Sequence, residues 1–417
     1  MSKRRKVVYI LISVFVVALS FGAGFLTSRL TLDRDVYDLD FIIKTYKKYY
    51  YEQESNLIGV FADDILDAYS AYYTKEEYEL IKKTDAGGRE GVGLTADANL
   101  YILSVNGNSP AQKAGVKAGG KILAVKRSTD QEYQNVATLS EINAFLSERE
   151  VDEPFEMQVD YGGAVSLFTL SKREYTQTFV RYSDSSGEYG FSDESGSMKF
   201  VKLSDGDGNT ENGVSYIKYD GFSGTGKDIS VSLGQFALVM QKYKDSGNSK
   251  LILDLRDNGG GFLYIMQGVC KYFVGAEKNS RADVCIAKGN SGLEDRFTSE
   301  PIKYQDYRFD RLMILCNAGS ASATEAFIGA ALDYDDNDVV TVLVEGGKTY
   351  GKGIMQSTYE NPRGGALKLT TAKLYWPKSL TCIHGVGITT ALNETFGDKI
   401  IQTEKGQSYS TALWLCR

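Results

Sequence analysis

"LMILCNAGSASATEAFIGAALDY", Leu312 to Tyr334, carries three signals in one run. Five apolar residues in sequence read as a strand buried on both faces. "NAGSASAT" is a small-residue turn bounded by Gly319, and "EAFIGAALDY" has the apolar spacing of a helix. Strand, tight turn, helix is the unit from which α/β domains are built. Such a turn presents a side chain at the mouth of a sheet, beside free N–H groups and the positive end of the helix dipole. A nucleophilic hydroxyl whose reaction develops an oxyanion needs those donors. Ser320 and Ser322 both qualify on local grounds, and each is equally suited to a purely structural N-cap.

Working outward, the same alternation continues on both sides. "VSYIKYDGF" reads as a strand and "DISVSLGQFALVMQKYKDSG" as a helix stopped by Gly247. "KLILDLR" is a second buried strand, running into "DNGGG" and the helix "FLYIMQGVCKYFVG". Glycines after a strand let backbone approach a ligand with no Cβ between them. Downstream, "EGGKTYGKGIMQ" (Glu345 to Gln356) is one residue short of a P-loop. The lysine there needs a following Ser or Thr and a helix, whereas Gly353 and a strand-like "IMQSTYE" follow. Nucleotide binding is therefore not its task.

Before the α/β part, residues 87–175 change character. Short strand-like runs surround one helical stretch, "TLSEINAFLSE", and "SVNGNSPAQKAGVKAGGKIL" reads strand, short helix, glycine turn, strand. Residues 30–86 show three-to-four apolar spacing through Ile42, Ile43, Tyr46 and Tyr49, and read as helical throughout, with Thr74 and Glu77 as a capping box. Tyr182 to Asn212 is polar and glycine-rich, and reads as a loop with at most one exposed hairpin.

At the start, Val7 to Thr27 is an uncharged apolar run long enough to cross a bilayer, preceded by Lys3, Arg4, Arg5 and Lys6. Positive charge stays cytoplasmic, which predicts that everything after residue 29 lies outside the cytoplasm. A cleaved signal peptide is the alternative, although the run lacks an A-x-A site. The chain has 47 basic and 54 acidic residues. With the four basic residues of the tip set aside, the remainder is clearly acidic, which argues against a nucleic-acid or anionic-lipid partner. Five scattered cysteines without C-x-x-C exclude a disulfide scaffold and a zinc ribbon. His384 is the only histidine, so three-histidine zinc sites and H-E-x-x-H are excluded. No metal or other cofactor is expected.

"LDLRDNGGG", "NAGSASATEAF", "TYGKGIMQ" and "ALKLTTAKLYWPKSLTCIHGVGI", in this order and after the helical entry "GVFADDILDAYSAYYTKEEY", resemble the C-terminal processing (tail-specific) serine peptidases. Residues 87–175 resemble a PDZ domain, with "REGVGL" in the place of its carboxylate-binding loop. The resemblance covers residues 35–390 and implies a ClpP/crotonase-like α/β Ser-Lys peptidase domain over 176–417. The implied organisation is a cytoplasmic tip and anchor (1–29), a helical segment (30–86), the PDZ domain and the peptidase domain. It further implies Ser322 as nucleophile, Lys352 as general base and Gln356 as the residue orienting that lysine. Residues four apart on a strand do share a face. Backbone N–H groups of Ala323 and Gly260 would form the oxyanion hole, and Gly91, Val92, Gly93 and Leu94 would hold a peptide carboxylate. Lys348 and His384 fall outside the implied catalytic set. The implied function is a membrane-anchored endopeptidase of a bacterial cytoplasmic membrane, cleaving the C-terminal tails of exported proteins. An inactive or PDZ-gated peptide-binding scaffold is the alternative. Three departures stand out: Thr324 where a serine is usual, extra residues in "DYDDNDVVTV", and Thr390 in place of a proline.

Overall fold

The computed structural model describes residues 34–51, 66–193, 198–205, 213–224, 231–274, 280–290, 292–301, 303, 306–362 and 364–417. The apolar run expected to cross a membrane lies outside the described residues; within them, no helix is long and apolar enough to do so. The chain divides into two compact units, one made of residues up to Lys75 together with Gln356–Thr370, the other of Glu76–Met355 and Thr371–Arg417.

In the first unit, the helix Arg34–Tyr49 buries one tyrosine face. Tyr46 and Tyr50 pack on Leu367 and Leu369, and Tyr49 stacks on Tyr359 at 4.5 Å between ring centroids. The helical expectation holds there and again in the helix Lys75–Asp85, and fails at residues 71–73. Ala71–Tyr73 is a strand, paired antiparallel with residues 366–368. Aromatic residues suit a half-buried pleated surface, and a strand partner supplied from far along the sequence overrides the local period.

The second unit holds the large sheet, eight strands long. Three antiparallel strands, Lys199–Asp205, Gly187–Ser192 and Val180–Asp184, lead into five parallel ones: Val214–Tyr219, Lys250–Asp254, Arg311–Cys316, Val340–Glu345 and Ile400–Thr403. The parallel strands are covered on both faces, which is why they read as continuous apolar runs. Leu251 and Leu253 join the main core with Leu312, Ile314, Val342 and Val344. Ile252, Met313, Leu315 and Leu343 point the other way, under the C-terminal helix Ser408–Leu415 through Ala412. The antiparallel strands correct the reading of 182–212 as a loop. Tyr182 and Phe191 are buried in the main core, and Phe200 stacks against Tyr189. Aromatic residues at alternating positions supply the core contacts, and the Ser/Gly/Asp content is concentrated in the turns.

Residues 88–176 form a smaller β-rich domain of the same unit. Lys121–Arg127 lies between Gln134–Asn135 and Pro154–Asp160, followed by Val165–Ser171, and Leu94–Ala96 pairs with Ile102–Val105. The helix Leu139–Ser147 begins with a reciprocal capping box between Thr138 and Glu141, and adds Ile142 and Phe145 to the domain's own core. Gly88–Gly91 pairs with Arg173–Thr176, joining the domain's two ends.

Candidate active site

The turn after Arg311–Cys316 is held from both sides. The Asn317 carboxamide oxygen accepts from the N–H of Asp257 and of Gly319, each at 2.9 Å, and its NH2 donates to Asp257 Oδ1. At Gly319 a Cβ would lie 2.7 Å from that carboxylate oxygen, so the close approach requires glycine. Ser320 is fully buried and donates to the Leu255 carbonyl at 2.7 Å. That fixes Ser320 as a structural hydroxyl and separates the two candidate serines. Ser322 is half-buried, caps the helix Ala323–Asp333, and sits at φ 59°, ψ −119°. A positive φ at a non-glycine residue is strained and persists only where the surroundings enforce it.

Glu325 supplies much of that enforcement. The residue is completely buried. Its Oε2 accepts from the Ser322 N–H and from the Lys352 N–H, each at 2.9 Å. Its Oε1 accepts from the Gly351 N–H at 2.8 Å and from the Thr349 hydroxyl at 2.5 Å. One carboxylate therefore clamps the serine-bearing turn to the lysine-bearing segment by four hydrogen bonds, three from backbone. Donors of this number satisfy a buried charge. The Tyr350 N–H adds a fifth tie, donating to the Ser320 carbonyl at 3.1 Å.

"DNGGG" packs against the other side of the turn. Asn258 is fully buried; its carbonyl accepts from the Ala321 N–H and its Oδ1 from the Thr324 hydroxyl at 2.8 Å. Thr324 thus keeps the hydroxyl that a serine would bring. Gly260 has φ 95°, and a Cβ there would lie 2.9 Å from both Ala323 N and Ser322 Cβ. The two backbone groups expected to form an oxyanion hole are accordingly neighbours of the serine. The Ala323 N–H is the first of its helix and has no acceptor within it. The Gly260 N–H donates to Asn258 Oδ1 at 3.0 Å in this structure.

The lysine-bearing segment rests on the loop "IHGVGI". The Gly385 N–H donates to the Gly351 carbonyl at 2.8 Å, and the Ile388 N–H to the Thr349 hydroxyl at 2.7 Å. At Gly353 a Cβ would lie 2.7 Å from His384 N. His384 is therefore brought against the segment through its backbone, and Lys348 is exposed. Gln356 falls in the other unit, where its amide lies 3.5 Å from the Thr370 hydroxyl. Gly91, Val92, Gly93 and Leu94 lie in the smaller β-rich domain. The Val92 carbonyl accepts from the Ala111 N–H and the Gly93 carbonyl from the Asn106 N–H.

Beneath the site, Asp254 ends its strand buried to 1% exposure. Burial by itself would raise its pKa, but Lys218 and a forked pair of bonds from Arg256 outweigh it and hold the carboxyl at about 2. Arg256 reaches on to Glu345 (3.1 Å), at the end of the strand Val340–Glu345 of the same sheet, and to Ser408. This charged cluster ties the ends of two parallel strands to the C-terminal helix. No group of acidic, cysteine or histidine side chains suited to a metal ion occurs among the described residues.

The residues hardest to single out in the sequence are Glu325, Asn317, Asn258 and Thr349. A signal existed for Glu325, since Ser322 and Glu325 have capping-box spacing. Thr349 and the two asparagines act across long sequence separations that no local pattern announces.

Residues 213–393 match peptidase family S41. A "Probable CtpA-like serine protease" of Staphylococcus saprophyticus is 27% identical over 350 residues, which is 82% of this chain and 62% of that relative. A protein of the same description from Staphylococcus haemolyticus is 27% identical over 399 residues, 91% of this chain and 69% of that one. The chain thus spans about two thirds or less of the length of these relatives. A solved structure described as "Putative S41 protease" from Bacteroides fragilis NCTC 9343 covers 89% of this chain and 92% of its own, at 14% identity and a TM-score of 0.52. That likeness concerns the fold.

Proposed function

We propose, from the premise that residues 213–393 belong to peptidase family S41, that this chain is a serine endopeptidase acting through a Ser322–Lys352 dyad. The observation that carries the reading is the Glu325 clamp, which places the backbone of Ser322 and of Lys352 on one carboxylate oxygen. In the proposed reaction Ser322 Oγ attacks the substrate carbonyl while neutral Lys352 takes the hydroxyl proton. The oxyanion is met by the Ala323 N–H, with the Gly260 N–H turning from Asn258 to join it. Lysine then gives the proton to the leaving amine, and water resolves the acyl-enzyme by the same route in reverse.

The finer reading extends to recognition and location. Residues 87–175 act as a PDZ domain taking substrate C-terminal tails, with the carboxylate at Gly91 to Leu94. In support, the strand Leu94–Ala96 pairs with Ile102–Val105 alone among the described strands, leaving one edge for an added peptide strand. The N-terminal run anchors the chain in a bacterial cytoplasmic membrane with the peptidase outside, so that its substrates are exported proteins. The test is incubation of the purified chain with a protein bearing an unstructured C-terminal tail, followed by mass spectrometry of the fragments. Cleavage by the wild type and none by Ser322→Ala or Lys352→Ala supports the reading. Cleavage surviving in Ser322→Ala overturns it.

A further inference from the structure

A cleft of about 400 Å³ separates the smaller β-rich domain from the parallel sheet. One wall, from the β-rich domain, sets the apolar Leu103, Val105 and Val116 among polar neighbours such as Asn106 and Gln112, with Leu103 51% exposed. The facing wall carries two cations, Arg181 and Lys218, and two carboxylates, Asp220 and Asp257. The two cations stand directly opposite each other on paired antiparallel strands. Like charges in that arrangement repel and cost stability.

Lys218 is compensated: it bonds the Arg256 carbonyl and lies 3.5 Å from Asp220 and 3.7 Å from Asp254. Arg181 is not. It is half-buried, and among the described residues it has no hydrogen bond and no ion pair, although Asp220 and Asp257 line the same cleft. A guanidinium presents a planar fork of donors that matches a carboxylate. A fork left without a partner, opposite another cation and in a cleft that also exposes Leu103 and Val116, has the chemistry of a receptor for a carboxylate attached to an apolar group.

The cleft also has the right position. It opens at the C-terminal edge of the parallel strands, where ligands of α/β sheets bind. Asp257, on its rim, is hydrogen-bonded to Asn317 at the start of the nucleophile turn.

We propose that Arg181 receives the terminal carboxylate of a peptide in this cleft, with the peptide's apolar last side chain against Leu103 and Val116. This is a second carboxylate-reading point, separate from Gly91 to Leu94, and it rests on the peptidase reading for the identity of its occupant. It would hold a substrate tail or a newly cut product end between the recognition domain and Ser322.

The test is binding, which does not depend on turnover. A fluorescent short peptide ending in leucine and its C-terminal amide are titrated into the full chain carrying Ser322→Ala, with and without Arg181→Gln or Arg181→Lys. The free carboxylate is expected to bind at least about tenfold more tightly than the amide, since one charge-assisted hydrogen bond is worth that much. Arg181→Gln should remove the part of that difference owed to the cleft, leaving only the part owed to Gly91 to Leu94, and should melt no lower than before because a repelled cation is gone; Arg181→Lys should retain part of the cleft's share. A photo-crosslinker beside the last residue should label Leu103. Equal binding of acid and amide, unchanged affinity in Arg181→Gln, or labelling confined to Leu94–Ala96 overturns the proposal. Failure of the peptidase reading would show separately, as loss of none of the hydrolysis in Ser322→Ala.

Discussion

Ser322 and Lys352 are thirty residues apart in sequence, yet their backbone N–H groups donate to the same oxygen of Glu325, each at 2.9 Å. The register between nucleophile turn and base segment is therefore fixed by a buried side chain that has no place for substrate. Glu325→Gln keeps the volume but points NH2 protons at backbone donors. A displacement of about 1 Å is enough to cost on the order of a hundredfold in rate. The expected result is a fall of that size in kcat with KM little changed, measured on a peptide substrate. An unaltered kcat would show that the clamp does not position the dyad.

The two serines of the turn should separate cleanly. Ser320→Ala loses the bond to the Leu255 carbonyl, at a cost of roughly 1–2 kcal/mol in stability, while still reacting with a serine-directed phosphonate. Ser322→Ala should fold normally and fail to react. Denaturant unfolding and intact-mass analysis of the two variants measure both effects.

Gly260 has no room for a side chain. At φ 95°, a Cβ would lie 2.5 Å from the Ala321 carbonyl oxygen and 2.9 Å from Ser322 Cβ. Gly260→Ala should therefore lose activity by pushing the serine turn away, with a stability loss of about 1–3 kcal/mol. A fully active Gly260→Ala would remove this glycine from the account.

Asp254 predicts an acid limb of stability. Its folded pKa of about 2 is below the usual 3.8, so its contribution is fully present above the unfolded value near 4 and is lost as pH falls through about 2. The size is roughly 2 kcal/mol. Urea midpoints of wild type and Asp254→Asn from pH 7 to pH 2 should converge toward the acid end. Parallel curves would show that the carboxylate has no such role.

The core helix offers a packing test remote from the chemistry. Gly329 faces Trp376, whose ring atoms would lie 2.1 Å from an added Cβ. Gly329→Ala should destabilise by about 1–3 kcal/mol through overpacking, read as a lowered urea midpoint.

What the sequence made legible follows from physics. The parallel strands could be read because burial on both faces leaves continuous apolar runs, and the turn at Ser322 because glycine and small residues punctuate it. Local residue chemistry left Ser322 and Ser320 equivalent and only the resemblance chose Ser322; the Leu255 carbonyl that holds Ser320 supplies the physical reason. Strands over 180–205 were hidden because their core contacts come from a few aromatic residues amid polar turns. Ala71–Tyr73 was hidden because its partner lies nearly three hundred residues away. Glu325 was visible as a capping residue, but its bonds to Thr349, Gly351 and Lys352 depend on the fold.

The central claim is that Ser322 is a nucleophile activated by a neutral lysine. Its most direct test is the rate of phosphonate labelling from acidic to alkaline pH, with the modified residue identified by peptide mass spectrometry. The account predicts a single adduct on Ser322, forming faster as pH rises and lost in Lys352→Met. An adduct on another residue, or a labelling rate on Ser322 indifferent to pH and to Lys352→Met, would contradict it.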